Sequence, residues 1–150
     1  MPTNSSPYRR AESASRQWVL YVGWGVTAYY LGSFLAAYLG EWLLTTARPF
    51  ENDIATWVFG WLLRRMWLWL VLPLGAYGLC RWTTAKPVRL AVVSALAGEL
   101  FSLLLIVGVN GVEFLVDDPM EVVIRIVSLV GGIALAVVLA RAGQRRARTR

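Results

Sequence analysis

The sequence contains no histidine and only one cysteine among its 150 residues. Without imidazole the chain cannot build a His-ligated haem or chlorophyll site, the usual zinc sites, or a Ser-His or Cys-His catalytic pair. Cys80 has no second cysteine for an internal disulfide, and its place near the end of an apolar run is typical of a small buried side chain. We therefore predict a protein that is not an enzyme and that uses neither a metal nor a cofactor.

Charged residues are also scarce, at 16% of the chain, whereas 57% of the residues are hydrophobic. An ordinary soluble domain has an apolar share of about 45–50%. The net charge of +6 comes from the two ends of the chain and one short loop. Such a distribution is typical of membrane orientation signals and unlike a nucleic-acid-binding face, so we predict a membrane protein with no nucleic-acid partner.

Long apolar runs at helical spacing predict an all-α integral membrane protein, a bundle of four transmembrane helices. The predicted spans cover residues 18–46, 54–82, 88–116 and 119–142, between a basic N-terminal tail, 1–17, and a basic C-terminal tail, 143–150. The first loop has mixed charge, the second is basic and the third is acidic. Because basic loops stay in the cytoplasm, both termini are predicted to be cytoplasmic, in the inner membrane of a bacterium.

The second predicted span is unusual because Arg64 and Arg65 lie inside an apolar, tryptophan-rich run. Two guanidiniums in hydrocarbon need carboxylates, water or lipid headgroups as partners. The run can form one continuous, tilted helix that Pro73 kinks, or residues 54–65 can lie along the outer interface with the span beginning at Met66. We favour the continuous helix.

Small and polar residues recur at steps of three and four, which is typical of faces that contact other helices in a membrane. They form one stripe on each of the first, third and fourth spans: Tyr30, Ser33, Ala37, Gly40 and Glu41; Ala95, Glu99, Ser102, Ile106, Asn110 and Glu113; Glu121, Arg125, Ser128, Gly132, Ala136 and Ala140. These faces are predicted to pack inside the bundle or against a partner.

On the predicted topology, seven polar residues lie at one depth in the outer half of the bundle: Glu41, Arg64, Arg65, Asn110, Glu113, Glu121 and Arg125. Three interpretations of this polar cluster are open. It fixes helix packing and register, it lines an outward-facing site for an anionic or zwitterionic ligand such as a lipid headgroup, or its arginines extend to the headgroups of the membrane.

Glu99 lies nearer the middle of the third span, with no basic residue within two turns of its own helix. Such a carboxyl is expected to be neutral unless a partner or water reaches it. It either makes a hydrogen bond across a helix interface or takes part in proton coupling.

The run from Tyr38 to Ala47, YLGEWLLTTA, resembles the glutamate-bearing segment in the first helix of small multidrug resistance transporters. The resemblance covers these ten residues and does not extend to the later helices of that family. It implies a transport function in which Glu41 takes part.

The leading functional prediction is a non-catalytic subunit of a homo- or hetero-oligomeric membrane complex, with membrane lipid and either copies of itself or a larger membrane protein as partners. The polar cluster would fix the packing or hold a lipid headgroup. The alternative is a small proton-coupled transporter or channel that uses Glu99 or Glu41. The subunit function predicts that Glu99→Gln is nearly silent, and transport predicts that this change abolishes activity.

Overall fold

A computed structural model describes the backbone of residues 7–46, 53–83, 85–111 and 119–148, with side chains in 15–43, 56–83, 85–111 and 120–147. All regular secondary structure within these residues is helical. The described residues form five α-helices: α1 (Pro7–Thr46), α2 (Asp53–Arg64), α3 (Leu72–Trp82), α4 (Pro87–Asn110) and α5 (Pro119–Arg148). A π-helical turn, Trp67–Val71, lies between α2 and α3.

Three helical stretches are long and apolar enough to cross a membrane: Ser15–Leu43, Pro87–Asn110 and Met120–Ala147. The pair Thr56–Arg64 and Trp67–Trp82 makes a fourth if it is counted as one span. The prediction of an all-helical membrane protein is therefore confirmed. The count of four spans and the orientation stay predictions.

The ends of several helices differ from the sequence-based bounds. Helix α1 begins at Pro7 rather than near Trp18 and has 40 residues, about 60 Å of helix, twice the ~30 Å hydrocarbon core. Helix α5 continues to Arg148, six residues beyond the predicted limit. Both additions are rich in Arg, Ala and Gln or Glu, which are good helix formers in water.

Helix α4 begins at Pro87, where proline at the first turn was expected, but it ends at Asn110 instead of continuing to 116. Gly111 ends it, with φ at 81° and ψ at 169°. This backbone conformation is essentially restricted to glycine. The residues just beyond Gly111 are still largely apolar and do not mark the end of the helix. The sequence-based bound, which follows hydrophobicity alone, therefore extended α4 too far.

The continuous helix that we favoured for residues 54–82 is wrong, because its two parts are bent by 56°. Arg65 lies at the bend, and its carbonyl accepts from the N–H of Leu68 at 2.9 Å and of Trp69 at 3.4 Å. The π-helical turn follows, and Pro73 lies just after it. Proline supplies no N–H to the preceding turn, and helices bend where proline or a π-turn interrupts the regular bonds.

Helix α1 packs against α4, and α3 packs along α5. The predicted stripes of α4 and α5 face the interior over much of their length, where Ala95, Ser102, Ser128, Ala136 and Ala140 are all buried. The residues that the sequence assigned to helix contacts on these two helices are therefore used within a single chain.

Two hydrogen bonds between distant parts of the chain show which elements share an end of the bundle. The N–H of Lys86 donates to the hydroxyl of Tyr21 at 3.2 Å, and Nη1 of Arg146 donates to the hydroxyl of Tyr77 at 3.3 Å. Early α1, the turn between α3 and α4, and the last turns of α5 thus lie together. We call this the basic end, and the end with Arg64 and Asn110 the opposite end.

Candidate functional site

Trp67 is the first residue after the bend. It packs between α1 and α4 and is almost completely buried. Its backbone lies directly against Gly32 of α1, and its indole lies against Gly98 of α4. A Cβ at either glycine would overlap Trp67, so only glycine permits this approach. Tyr29 packs edge-on against the indole, with 5.7 Å between ring centroids. These contacts place Arg65, two residues earlier in the chain, inside the bundle.

The two adjacent arginines have different environments. The side chain of Arg64 is exposed, whereas Arg65 is only 4% exposed. A buried guanidinium is costly unless carboxylates surround it. Arg65 enters the interior because it lies at the bend, two residues before the buried Trp67.

Glu99 is the main partner of Arg65. Nη1 of Arg65 donates to Oε2 of Glu99 at 2.9 Å and to Oε1 at 3.1 Å. Nη1 of Arg125, on α5, donates to the same Oε1 at 2.8 Å. Glu99 is 7% exposed. It lies between two guanidiniums, and both of its oxygens accept hydrogen bonds from them. The sequence predicted either a hydrogen bond across a helix interface or a role in proton coupling for this carboxyl, and the structure shows bonds to two arginines from other parts of the bundle.

Glu121 completes the group, and its distances to the two arginines are longer than those of Glu99. Its Oε1 lies 3.3 Å from Nε of Arg125, at the predicted i,i+4 spacing, and 3.6 Å from Nη2 of Arg65. Neither nitrogen makes a hydrogen bond within the described part of the chain, although both are buried. The Glu121 side chain is 26% exposed. The contacts of Glu121 to the two arginines are thus longer than those of Glu99.

We call Arg65, Glu99, Arg125 and Glu121 the charge ring, because acids and bases alternate around it. Its two positive and two negative charges cancel. The ring connects the bend, α4 and α5, which lie far apart in the sequence. Removing Glu99 would leave Arg65 and Arg125, both largely buried, without the carboxylate that they share, and an uncompensated buried charge is strongly destabilising.

A cavity of about 600 Å³ adjoins the ring. Residues of α1, α2, the bend, α4 and α5 line it, and its charged lining consists of Arg64, Arg65, Arg125 and Glu121. Arg64 and Asn110 are also exposed at the surface, so the cavity meets the surface at the opposite end. Ser33, Ser102 and Tyr29 add hydroxyl groups to its wall.

The predicted polar cluster is therefore brought together in part. Arg65, Glu121 and Arg125 meet in the charge ring, and Arg64 and Asn110 line the cavity. Glu41 is exposed on α1 and is not a ring member. Glu113 lies outside the described residues.

Glu99 is the ring residue that sequence reasoning assigned to a separate role. Depths in the membrane that are estimated from the sequence assume straight helices. The 56° bend at Arg65 breaks that assumption for the second span. A signal was nevertheless present: Glu99 and Ser102 share the stripe of α4 that was predicted to face other helices. Combining that stripe with the stripe of Glu121 and Arg125 would have placed Glu99 near both.

Within the described ranges no group of three or more metal-ligating side chains occurs. Comparison with protein families, curated proteins and solved structures found no match to the chain. The function has to be argued from the charge ring and the cavity.

Proposed function

We propose that this chain is a non-catalytic subunit of a homo- or hetero-oligomeric membrane complex, in which the charge ring fixes the packing of its helices. The observation that supports this role is the pairing of Glu99, which accepts three hydrogen bonds from two arginines. The ring's charges cancel and most of their polar atoms face one another. That is what a packing device requires in a bilayer, where unpaired charge is expensive.

We further propose four spans in the inner membrane of a bacterium, with both termini cytoplasmic. The support comes from the hydrogen bonds that gather Tyr21, Lys86 and Arg146 at the basic end. Arg89 and Arg141 are also exposed toward this end. Clusters of basic residues favour the cytoplasmic, anionic leaflet.

A partner would contact the outer faces of the bundle, since the small-residue stripes of α4 and α5 are already used inside it. The outer face of α1 presents Tyr30, Phe34 and Tyr38, and that of α5 presents Ile126 and Val130, all more than half exposed. Large apolar side chains of this kind suit either lipid or another membrane helix. Lipid covers whatever part of these faces a partner leaves open.

The rival function is a small proton-coupled transporter or channel that uses Glu99 or Glu41. The cavity beside the ring is the observation in its favour. However, both oxygens of Glu99 accept hydrogen bonds from largely buried arginines, which is the arrangement that a packing role requires. This pairing also changes the consequence of Glu99→Gln: the change is expected to damage packing rather than to be silent.

The test compares the wild type with Glu99→Gln and with Arg89→Gln, an exposed charged residue as control, all purified in mild detergent. Glu99→Gln is expected to lose about 3–5 kcal/mol of stability, because Arg65 and Arg125 lose their shared partner. Thermal unfolding measures this loss, and Arg89→Gln is expected to unfold like the wild type. Native mass spectrometry of wild-type protein from its own membrane is expected to show a stable homo- or hetero-oligomer.

Two outcomes would overturn the proposal. One is a wild-type protein that is monomeric and has no co-purifying partner. The other is proton flux into wild-type liposomes that Glu99→Gln abolishes while the unfolding midpoint stays unchanged. The second outcome would establish the transporter instead.

A further inference from the structure

We propose that the cavity is a binding site for the phosphate group of an anionic ligand, and that Glu121 occupies the place of that group when the ligand is absent. The inference goes beyond the packing role and does not depend on it, because the hydrogen bonds that join Arg65, Glu99 and Arg125 do not involve the cavity. It rests on the charge around the cavity, on two guanidinium nitrogens that lack a hydrogen bond within the described residues, and on the longer distances from these nitrogens to Glu121.

The charged lining of the cavity is predominantly positive. Arg64, Arg65 and Arg125 contribute three guanidiniums, and Glu121 contributes one carboxylate. Glu99 is not among the lining residues, but it pairs with Arg65 and Arg125. When it is counted, three guanidiniums stand against two carboxylates, so a ligand in the cavity meets a net excess of one positive charge between apolar walls that limit screening, and this favours an anion.

Two guanidinium nitrogens are available for a new partner. Nη2 of Arg65 and Nε of Arg125 are buried and lack a hydrogen bond within the described residues. Both face the same carboxylate oxygen, Oε1 of Glu121, at 3.6 Å and 3.3 Å. Buried polar groups are normally hydrogen-bonded, and an unsatisfied charged donor is costly. A phosphate has several acceptor oxygens, and its pairing with arginine is among the strongest in proteins.

Glu121 is the ring member that a ligand can replace. Its contacts to the two arginines are longer than the bonds to Glu99, and its side chain is partly exposed. When a phosphate takes its place, Nη2 and Nε gain charge-assisted hydrogen bonds, while Nη1 of each arginine keeps Glu99. Arg64, exposed at the rim and lining the cavity, supplies a third guanidinium for the same phosphate.

The cavity has the size and the opening that such a ligand needs. A volume of about 600 Å³ is within the ~300–1,000 Å³ of ordinary ligand pockets and holds a phosphate with a small alcohol attached. Its opening at Arg64 and Asn110 lies at one end of the bundle, where a leaflet's headgroups or soluble molecules can enter. The shared chemistry is a phosphate ester, from an anionic phospholipid or from a soluble compound.

The test is a calorimetric titration of delipidated protein in neutral detergent with dioctanoyl phosphatidylglycerol. Dioctanoyl phosphatidylcholine, which carries a compensating positive charge, is the control lipid, and glycerol 3-phosphate is the soluble probe. We expect phosphatidylglycerol or glycerol phosphate to bind and phosphatidylcholine to bind at least about tenfold more weakly, the effect of losing one strong ionic contact. Preference for phosphatidylglycerol identifies a lipid site, and preference for glycerol phosphate identifies a soluble ligand.

Three variants test the assignment of residues. Arg64→Gln is expected to weaken binding about tenfold because one guanidinium is lost, and Glu121→Gln to strengthen it about tenfold because the competing charge is removed. Arg89→Gln removes an exposed arginine at the basic end and is expected to leave binding unchanged. Unfolding midpoints of all three confirm that the variants are folded.

The proposal is overturned if no probe binds the wild type, if phosphatidylcholine binds as well as phosphatidylglycerol, or if Glu121→Gln weakens binding. It is also overturned if Arg64→Gln and Arg89→Gln have equal effects, because the attraction would then be unspecific. None of these results bears on the packing role, which Glu99→Gln tests through stability and oligomeric state.

Discussion

Arg64 and Arg65 are neighbours in the chain with opposite surroundings, and the difference decides what the site can do. Arg65 is buried and holds Glu99, whereas Arg64 remains at the rim of the cavity. The sequence predicted that this pair would need carboxylates and that Glu121 and Arg125 would lie nearby. It could not assign different roles to two adjacent and identical residues, because their environments depend on the direction of the chain at the bend.

The approach of α1 to the bend leads to a prediction at Gly32. A methyl group there would lie 2.8 Å from the backbone nitrogen of Trp67, and this backbone cannot move without shifting Arg65. We expect Gly32→Ala to lower the free energy of unfolding by about 1–3 kcal/mol, the usual cost of overpacking. Thermal unfolding in detergent measures the change.

Gly23 is the matched control, because it lies on the same helix and a methyl group added to it would have no atom within 4 Å. Gly23→Ala is expected to be neutral or to stabilise α1 by up to ~1 kcal/mol through higher helix propensity. Equal midpoints for the two variants would show that α1 does not pack against Trp67 as described.

Among the helices, the bend between α2 and α3 has the largest effect on the site. It turns the chain by 56° where a regular helix would have continued, and it brings Arg65 to α4 and α5. Pro73 indicated in the sequence that the helix is interrupted. The interruption begins at Arg65, eight residues before Pro73, and continues through the π-helical turn. The N–H that Pro73 lacks would have bonded to the turn just before it, so the proline accounts for the π-helical turn but not for the bend at Arg65.

The end of α4 gives a prediction at Gly111. Its φ of 81° and ψ of 169° lie in a region that residues with a Cβ avoid. We expect Gly111→Ala to destabilise the protein by about 1–3 kcal/mol, because the chain must leave the helix in this conformation to reach α5. Chemical or thermal unfolding in detergent measures the loss.

Gly108→Ala, three residues earlier in α4, is the comparison for this change. Gly108 is helical and has open space at its Cβ position, so alanine is expected to be neutral or mildly stabilising. If Gly111→Ala were as stable as Gly108→Ala, the end of α4 would not require the observed conformation.

At the scale of the whole molecule, the proposed topology predicts which surfaces a membrane-impermeant maleimide reaches in spheroplasts. In a Cys80→Ala background, Asn110→Cys is expected to react from outside, because it lies at the opposite end. Arg89→Cys and Arg145→Cys are expected to react only after permeabilisation, because both lie toward the basic end. Gel shift of the labelled protein measures the reaction.

The parent Cys80→Ala protein serves as the unlabelled control. Reaction of Arg145→Cys in intact spheroplasts would contradict cytoplasmic termini. Opposite behaviour of Arg89→Cys and Arg145→Cys would mean that one helix between them does not cross the membrane as proposed, and the count of four spans would be wrong.

The sequence by itself determined that the chain is a helical membrane protein, approximately where its helices lie, and which faces of α4 and α5 turn inward. Hydrophobicity and helical spacing are properties of neighbouring residues, so a linear pattern is sufficient to reveal them. Only the tertiary structure decided the bend, the burial of Arg65 rather than Arg64, and the position of Glu99 between two arginines. These depend on contacts across 34 and 26 residues of chain, and no local pattern determines which distant charges meet.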